Sequence, residues 1–158
     1  MKTVCILTAG IGKRLGIYSK IINKSLLPIK KKAIISYIIE NFPKDTHFII
    51  AVGHFKNQVI DYLKLFHSDR KFKFVSIKDY KSDKSGPGLS LLKCKKYLNK
   101  PFYFVSCDTL FNKKIDNLEN ENWMGINYLS ISNNKDYCNL KLKKGFVEKI
   151  HDKIQCTK

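Results

Sequence analysis

The candidate reactive and ligand-binding residues gather near the start of the chain. The run Leu7-Thr8-Ala9-Gly10-Ile11-Gly12-Lys13-Arg14-Leu15 is followed by Asn23-Lys24-Ser25-Leu26-Leu27-Pro28. An apolar strand that runs straight into glycines offers backbone amides to phosphate oxygens. Gly10 and Gly12 carry no side chain that would hold a nucleotide away from the backbone. A Walker loop is excluded, because Lys13 is followed by Arg14 where serine or threonine would stand. The dinucleotide fingerprint is excluded as well, because Leu15 takes the place of its third glycine. A bare GxG is equally compatible with a tight turn that binds nothing. Arg14 and Lys24 tip the balance towards a polyphosphate, Arg14 through a directional fork and Lys24 as a point charge. Lys24 taken alone reads as a solvated surface lysine.

A second candidate stands at the end of Phe102-Tyr103-Phe104-Val105-Ser106-Cys107-Asp108, an apolar strand that delivers an acid at its carboxyl edge. Open α/β sheets bind ligands at that edge. A hard carboxylate there suits Mg²⁺ shared with phosphate oxygens. An aspartate capping a turn beside Thr109 would look the same, and the strand alone leaves both open.

The elements that must position these groups alternate. Thr3 to Thr8 is predicted as a buried strand, and Ala33 to Asn41 as a helix with Ile34, Ile35, Ile38, Ile39 and Phe42 on one face. His47 to Val52 is a second strand. Gln58 to Phe66 is a second helix, whose buried stripe is Val59, Tyr62, Leu63 and Phe66. Phe72 to Ile77, Gly88 to Leu98 and Pro101 to Cys107 continue as strand, helix and strand. This alternation predicts an α/β domain with a largely parallel sheet. After Asp108 the pattern changes to strands without helices, at Trp123 to Ser132, Tyr137 to Leu142 and Phe146 to His151, with Lys143-Lys144-Gly145 as a hairpin turn.

The 158 residues suit one domain, and a hydrophobic fraction of 44% with 27% charged residues is ordinary for a globular protein. No apolar run reaches the ~18 residues of a membrane helix, and no long apolar leader opens the chain. The expectation is a soluble cytoplasmic protein with no membrane partner. A net charge of +17 raises nucleic acid as a partner, yet only Arg14 and Arg70 are arginines among 30 Lys and Arg residues. Base readers favour arginine for its planar fork, so nucleic-acid binding ranks behind a small phosphorylated substrate. The cysteines Cys5, Cys94, Cys107, Cys138 and Cys156 show no metal-ligand or redox spacing. Cys5 and Cys107 read as small core residues.

The order LTAGIGKRLG, NKSLLPI and the apolar helix AIISYIIENF resembles the start of the sugar-phosphate nucleotidylyltransferases, which carry LxAGxGxRL and then a lysine in a PKxLLP-like stretch. The resemblance implies a Rossmann-like, three-layer α/β/α domain of GT-A type over residues 1–158, with a mostly parallel, mixed sheet. It implies that Leu7, Ala9 and Gly10 hold base and ribose. Gly10, Ile11, Gly12, Lys13 and Arg14 would cradle the triphosphate, with Lys24 neutralising phosphate charge. Asn23 stands where the family usually has proline, a departure expected to loosen the approach to the lysine. Asp108 matches the family's first metal-binding aspartate and implies Mg²⁺ as cofactor, with Cys107 replacing the usual glycine. Gly88, in Gly86-Pro87-Gly88-Leu89-Ser90, matches a second glycine contact to nucleotide, although a plain helix entry is the alternative. The family's base-reading glutamine is replaced by Asp83, Lys84 and Ser85, which leaves the base open. Ser90-Leu91-Leu92 resembles an element of the choline-phosphate cytidylyltransferase branch. Lys153, in Gly145-Phe146-Val147-Glu148-Lys149-Ile150-His151-Asp152-Lys153, matches a lysine that contacts acceptor or α-phosphate; His151 reads as structural.

The activity implied is transfer of a nucleoside monophosphate from an NTP to a sugar phosphate, releasing pyrophosphate, for surface glycan or capsule precursors. Arg14, Lys24, Asp108 and Lys153 would be its catalytic residues. A choline-phosphate cytidylyltransferase-like enzyme and a non-catalytic NTP-binding module are the alternatives, with a basic nucleic-acid-binding domain behind them. Family members continue beyond the motifs seen here, so the chain is expected to lack the C-terminal part of the family domain. Completion by a second copy or another subunit follows as an expectation.

Overall fold

A computed structural model describes residues 2–82, 85–111, 115, 122–128 and 137–151. It divides into two compact units, Met1–Leu118 and Glu119–Lys158. The first unit is built on strands β1 (Thr3–Leu7), β4 (His47–Val52), β5 (Lys71–Ser76) and β6 (Tyr103–Ser106). These form one sheet in the order β5-β4-β1-β6, and every pairing in it is parallel. Between β1 and β4 lies a short antiparallel ribbon, β2 (Pro28–Ile29) with β3 (Lys32–Ala33), leading into helix α1 (Ile34–Glu40). Helices α2 (Lys56–Phe66) and α3 (Pro87–Cys94) supply the crossovers to β5 and towards β6.

Alternation along the strands assigns the two faces. Val4 and Ile6 of β1, with Phe48, Ile50 and Val52 of β4, pack on Ile35, Ile38 and Ile39 of α1 and on Val59 and Leu63 of α2. Cys5, Ile49 and Ala51 point the other way, with Cys94 of α3 and Ile77. A sheet covered on both faces reads as continuous apolar runs, which is why TVCIL and HFIIAV show no polar alternation. The three-layer α/β/α expectation holds, and Cys5 and Cys107 are buried core residues. Edge strand β5 differs: Lys71 and Lys73 are exposed while Phe72 and Phe74 pack inward. Lysines on an edge discourage strand addition.

Three expectations need correction. Phe66 is exposed rather than part of the α2 stripe; its ring lies 4.7 Å from that of Tyr62. The position four residues beyond Leu63 falls on His67, which is buried and takes the place on the core face. The third helix does not run unbroken to Leu98, because a 3₁₀ turn over Lys95–Tyr97 follows Cys94. In the second unit, residues 122–128 form no strand, and 129–132 lie outside the described residues. That unit contains the antiparallel hairpin β7 (Asn139–Lys143) and β8 (Phe146–His151). Lys144 and Gly145, both with positive φ, make its two-residue turn, as the sequence pattern indicates.

The buried His67 ties α1 to α2. Its Nε2 lies 2.8 Å from Ser36 Oγ, which also hydrogen-bonds Tyr62 Oη at 2.8 Å. Burial pushes the imidazole pKa below its usual 6.5, aided by Arg70 and Lys32 and opposed by Glu40 and Asp69. The folded chain therefore holds His67 neutral, while the unfolded chain takes up a proton below that pH. Stability is expected to fall as pH drops below about 6.5, with a slope of up to ~1.4 kcal/mol per pH unit. Urea denaturation between pH 7 and pH 5 should show this slope, flattened in His67→Gln; equal slopes in both proteins would remove His67 as its source.

Candidate nucleotide site

The strand order places the site. The chain steps from β1 outward to β4 and β5, then crosses to the other side of β1 for β6. Loops leaving the carboxyl ends of β1 and β6 therefore diverge and open a crevice at the switch point. In the register, Leu7 lies opposite Ser106, so Thr8–Arg14 and Cys107–Asp108 leave the sheet side by side. A cavity of about 420 Å³ occupies this crevice. Leu7, Ala9, Gly10, Ile11, Gly12, Lys13, Arg14, Lys24 and Asp108, separated widely in sequence, all line it. Gly86 lines it too, whereas Gly88, the better motif match, is not among the lining residues. Lys153 lies outside the described residues, as do Asp83 and Lys84.

The turn after β1 has one glycine that the backbone requires. Gly12 adopts φ 72°, ψ 41°, the left-handed region, and starts a pair of 3₁₀ turns over Lys13–Lys20 that break at Gly16. Gly10 is different: a Cβ there would meet nothing within 4 Å, so its bareness faces open space. Lys13 and Arg14 are exposed, and neither has an ion-pair partner among the described residues. Two uncompensated cations beside a strand-end turn make this wall of the cavity anion-attracting.

Also lining the cavity, Lys24 Nζ donates to Asp108 Oδ2 in an ion pair, and Ser106 Oγ donates to Oδ1. Partial burial would raise the carboxyl pKa; the hydrogen bonds from Lys24 and Ser106 outweigh it and hold the group below its ordinary value. Asp108 is therefore an anion at neutral pH. The neighbouring Cys107 is pushed up to about 11 by burial and by the Asp108 charge, so its sulfur stays a neutral thiol.

Asn23 does not loosen the approach to Lys24. It is fully buried, and its Oδ1 accepts from Ser25 N at 3.0 Å and from Ser25 Oγ at 2.8 Å. Its Nδ2 donates to Thr8 O at 2.9 Å and to His54 O at 2.6 Å. The amide thus caps the 3₁₀ turn of Lys24–Leu26 and joins it to the end of β1. Sequence reasoning also missed Tyr80 and Phe104, which line the cavity, and Gly53, which packs against Ala9. A signal for Gly53 existed: an isolated glycine closing an apolar strand marks close backbone approach.

Comparison with known proteins follows this geometry. No family model matches the chain. It is 27% identical over 116 residues to the bifunctional protein GlmU of Methanococcus aeolicus, covering 73% of this chain and 27% of that one. Among solved structures it resembles the CTP:phosphocholine cytidylyltransferase of Streptococcus pneumoniae, with 27% identity, a TM-score of 0.56 and coverage of 73% and 49% of the two chains. A UDP-glucose pyrophosphorylase complexed with UDP-glucose matches with 25% identity, TM-score 0.56 and coverage of 68% and 46%. A glucose-1-phosphate thymidylyltransferase from Bacillus anthracis, itself assigned provisionally, shares the fold at TM-score 0.71 over 98% of this chain and 65% of that one, at 16% identity. The chain thus spans between about a quarter and two thirds of the length of these relatives.

Gly53 tests the local packing. A Cβ there would lie 2.8 Å from Ala9 O and 2.9 Å from Ala9 Cβ, against the first residue of the turn. Gly53→Ala should therefore cost about 1–3 kcal/mol of stability by overpacking. Denaturant unfolding checks it; an unchanged midpoint would show that the turn can shift freely. In sequence and in fold, this chain is similar to known nucleotidyltransferases, among them GlmU, a UDP-glucose pyrophosphorylase and a CTP:phosphocholine cytidylyltransferase.

Proposed function

We propose that the first unit carries the nucleotide side of a nucleotidylyltransferase, which moves a nucleoside monophosphate from an NTP to a phosphorylated small molecule and releases pyrophosphate. The observation that carries this proposal is the crevice that Arg14 and Lys13 line together with the Lys24–Asp108 pair. In-line attack by an acceptor phosphate oxygen on the α-phosphorus needs no protein nucleophile. It needs two anions held together and their charge offset. Leu7 and Ala9 border the place for the nucleoside, and Arg14 and Lys13 that for the outer phosphates. Lys24 leaves Asp108 for the phosphates as they arrive.

Asp108 is the residue that would hold Mg²⁺. The Lys24 ammonium stands against its carboxylate, which supports a place suited to positive charge. No cluster of three or more His, Cys, Asp or Glu occurs among the described residues, so the other ligands would be phosphate oxygens and water, as Mg²⁺ commonly accepts. Bound there, the ion would neutralise charge on the phosphates.

A sugar phosphate as acceptor, feeding surface glycan or capsule precursors in the cytoplasm, is the preferred finer assignment. No described helix is long and apolar enough to cross a membrane. A choline-phosphate-type acceptor with CTP is favoured by the 27% identity to the pneumococcal phosphocholine enzyme. The acceptor side could draw on Lys153, on a second copy of the chain or on another subunit.

A thermal-shift screen of the common NTPs with Mg²⁺ should reveal one that stabilises the protein by mass action. Arg14→Ala, Lys24→Ala and Asp108→Asn should each lower pyrophosphate release on the order of 10²–10³-fold. A variant with normal turnover would remove its residue from the mechanism. Nucleotide binding without pyrophosphate release for any phosphorylated acceptor would favour a non-catalytic NTP-binding module.

A further inference from the structure

The turn that bears Lys13 and Arg14 is exposed along most of its length and buries no residue between Lys13 and Lys20. Hydrophobic packing therefore does not set its position. Hydrogen bonds from the β4–α2 loop and the first turn of α2 do. At the near end, His54 N–H donates to Ala9 O at 3.0 Å. At the far end, His54 Nε2 lies 2.7 Å from Ser19 O and, facing a carbonyl, must carry the proton. Gln58 Nε2 donates to Ile21 O at 3.0 Å, and Gln58 Oε1 accepts from the Asn23 backbone N–H at 3.0 Å. Asn23 closes the ring through its bond to His54 O. None of these three side chains lines the cavity.

We propose that His54 and Gln58, together with Asn23, are positioning residues for the triphosphate. Their side chains hold the far end of the cationic turn and the start of the Lys24 turn, while the His54 backbone holds Ala9 at the near end. A turn held in place loses less conformational freedom when phosphate arrives, and its cations are already aimed. This inference rests on the proposed nucleotide site. It adds that selectivity for a triphosphate over a monophosphate is set by residues that never touch it. The prediction is specific because the β- and γ-phosphates, absent from a monophosphate, are the groups the turn would hold.

The test measures, by titration calorimetry on the full chain, the affinity for whichever of ATP, CTP, GTP, UTP and dTTP binds best with Mg²⁺. The corresponding monophosphate is measured beside it. Asn23→Ala removes the buried hub and risks folding, so the informative variants are Gln58→Leu and His54→Phe, the second of which keeps a ring against Phe55. Each should weaken triphosphate binding about fivefold or more, the scale of one or two lost hydrogen bonds, with monophosphate affinity little changed. Equal losses for mono- and triphosphate, or no loss in well-folded variants, would overturn the positioning role while leaving the nucleotide site intact. Absence of nucleotide binding by the unaltered chain would overturn the site itself and this role with it.

Discussion

The site depends first on β1 having a hydrogen-bonded parallel neighbour on each side. Because β4 and β6 both pair with it in register, Leu7 has Ala51 on one flank and Ser106 on the other. The backbone is then satisfied along the whole strand, and its only exit is the carboxyl edge. Thr8 shows how firmly that exit is held: its N–H and its Oγ1 both donate to Ala51 O, at 2.9 and 2.8 Å. The glycine turn and Asp108 emerge from adjacent strands of this frame. Their proximity is a consequence of strand order and needs no contact between the loops themselves.

Electrostatics then distinguishes two groups of residues that line the crevice. One carries Lys13 and Arg14 without counter-ions among the described residues; the other carries a carboxylate whose charge Lys24 already offsets. Surface pairs contribute little to stability, and Lys24–Asp108 is partly exposed. In the proposed reaction the same lysine would turn from carboxylate to phosphate.

Much of this was legible in the residues. The parallel sheet could be read from apolar runs such as HFIIAV, and the turn could be read from Gly12, whose left-handed backbone only glycine adopts without strain. The face of α1 was legible because Ile34, Ile35, Ile38 and Ile39 repeat at helical spacing. Phe66 was misassigned because spacing alone cannot tell which side of a stripe's last turn meets the core. His67 won that place through a hydrogen bond to Ser36 on another helix. Asn23 was misjudged for a related reason. A polar residue in a loop has no local marker of burial, and its partners Thr8 and His54 lie far away in sequence.

The sequence by itself determined which groups are available and on which elements they ride: the glycine turn behind a buried strand, the arginine and lysines after it, and an acid at the end of another strand. Those follow from local periodicity and from the conformational limits of single residues. Tertiary structure alone decided that Arg14, Lys24 and Asp108 share one cavity, that Gly86 and not Gly88 borders it, and that His54 and Gln58 hold its cationic turn. Those are facts of strand order and of hydrogen bonds between distant segments. No pattern along one stretch of chain encodes them, because each bond depends on where another stretch has been folded.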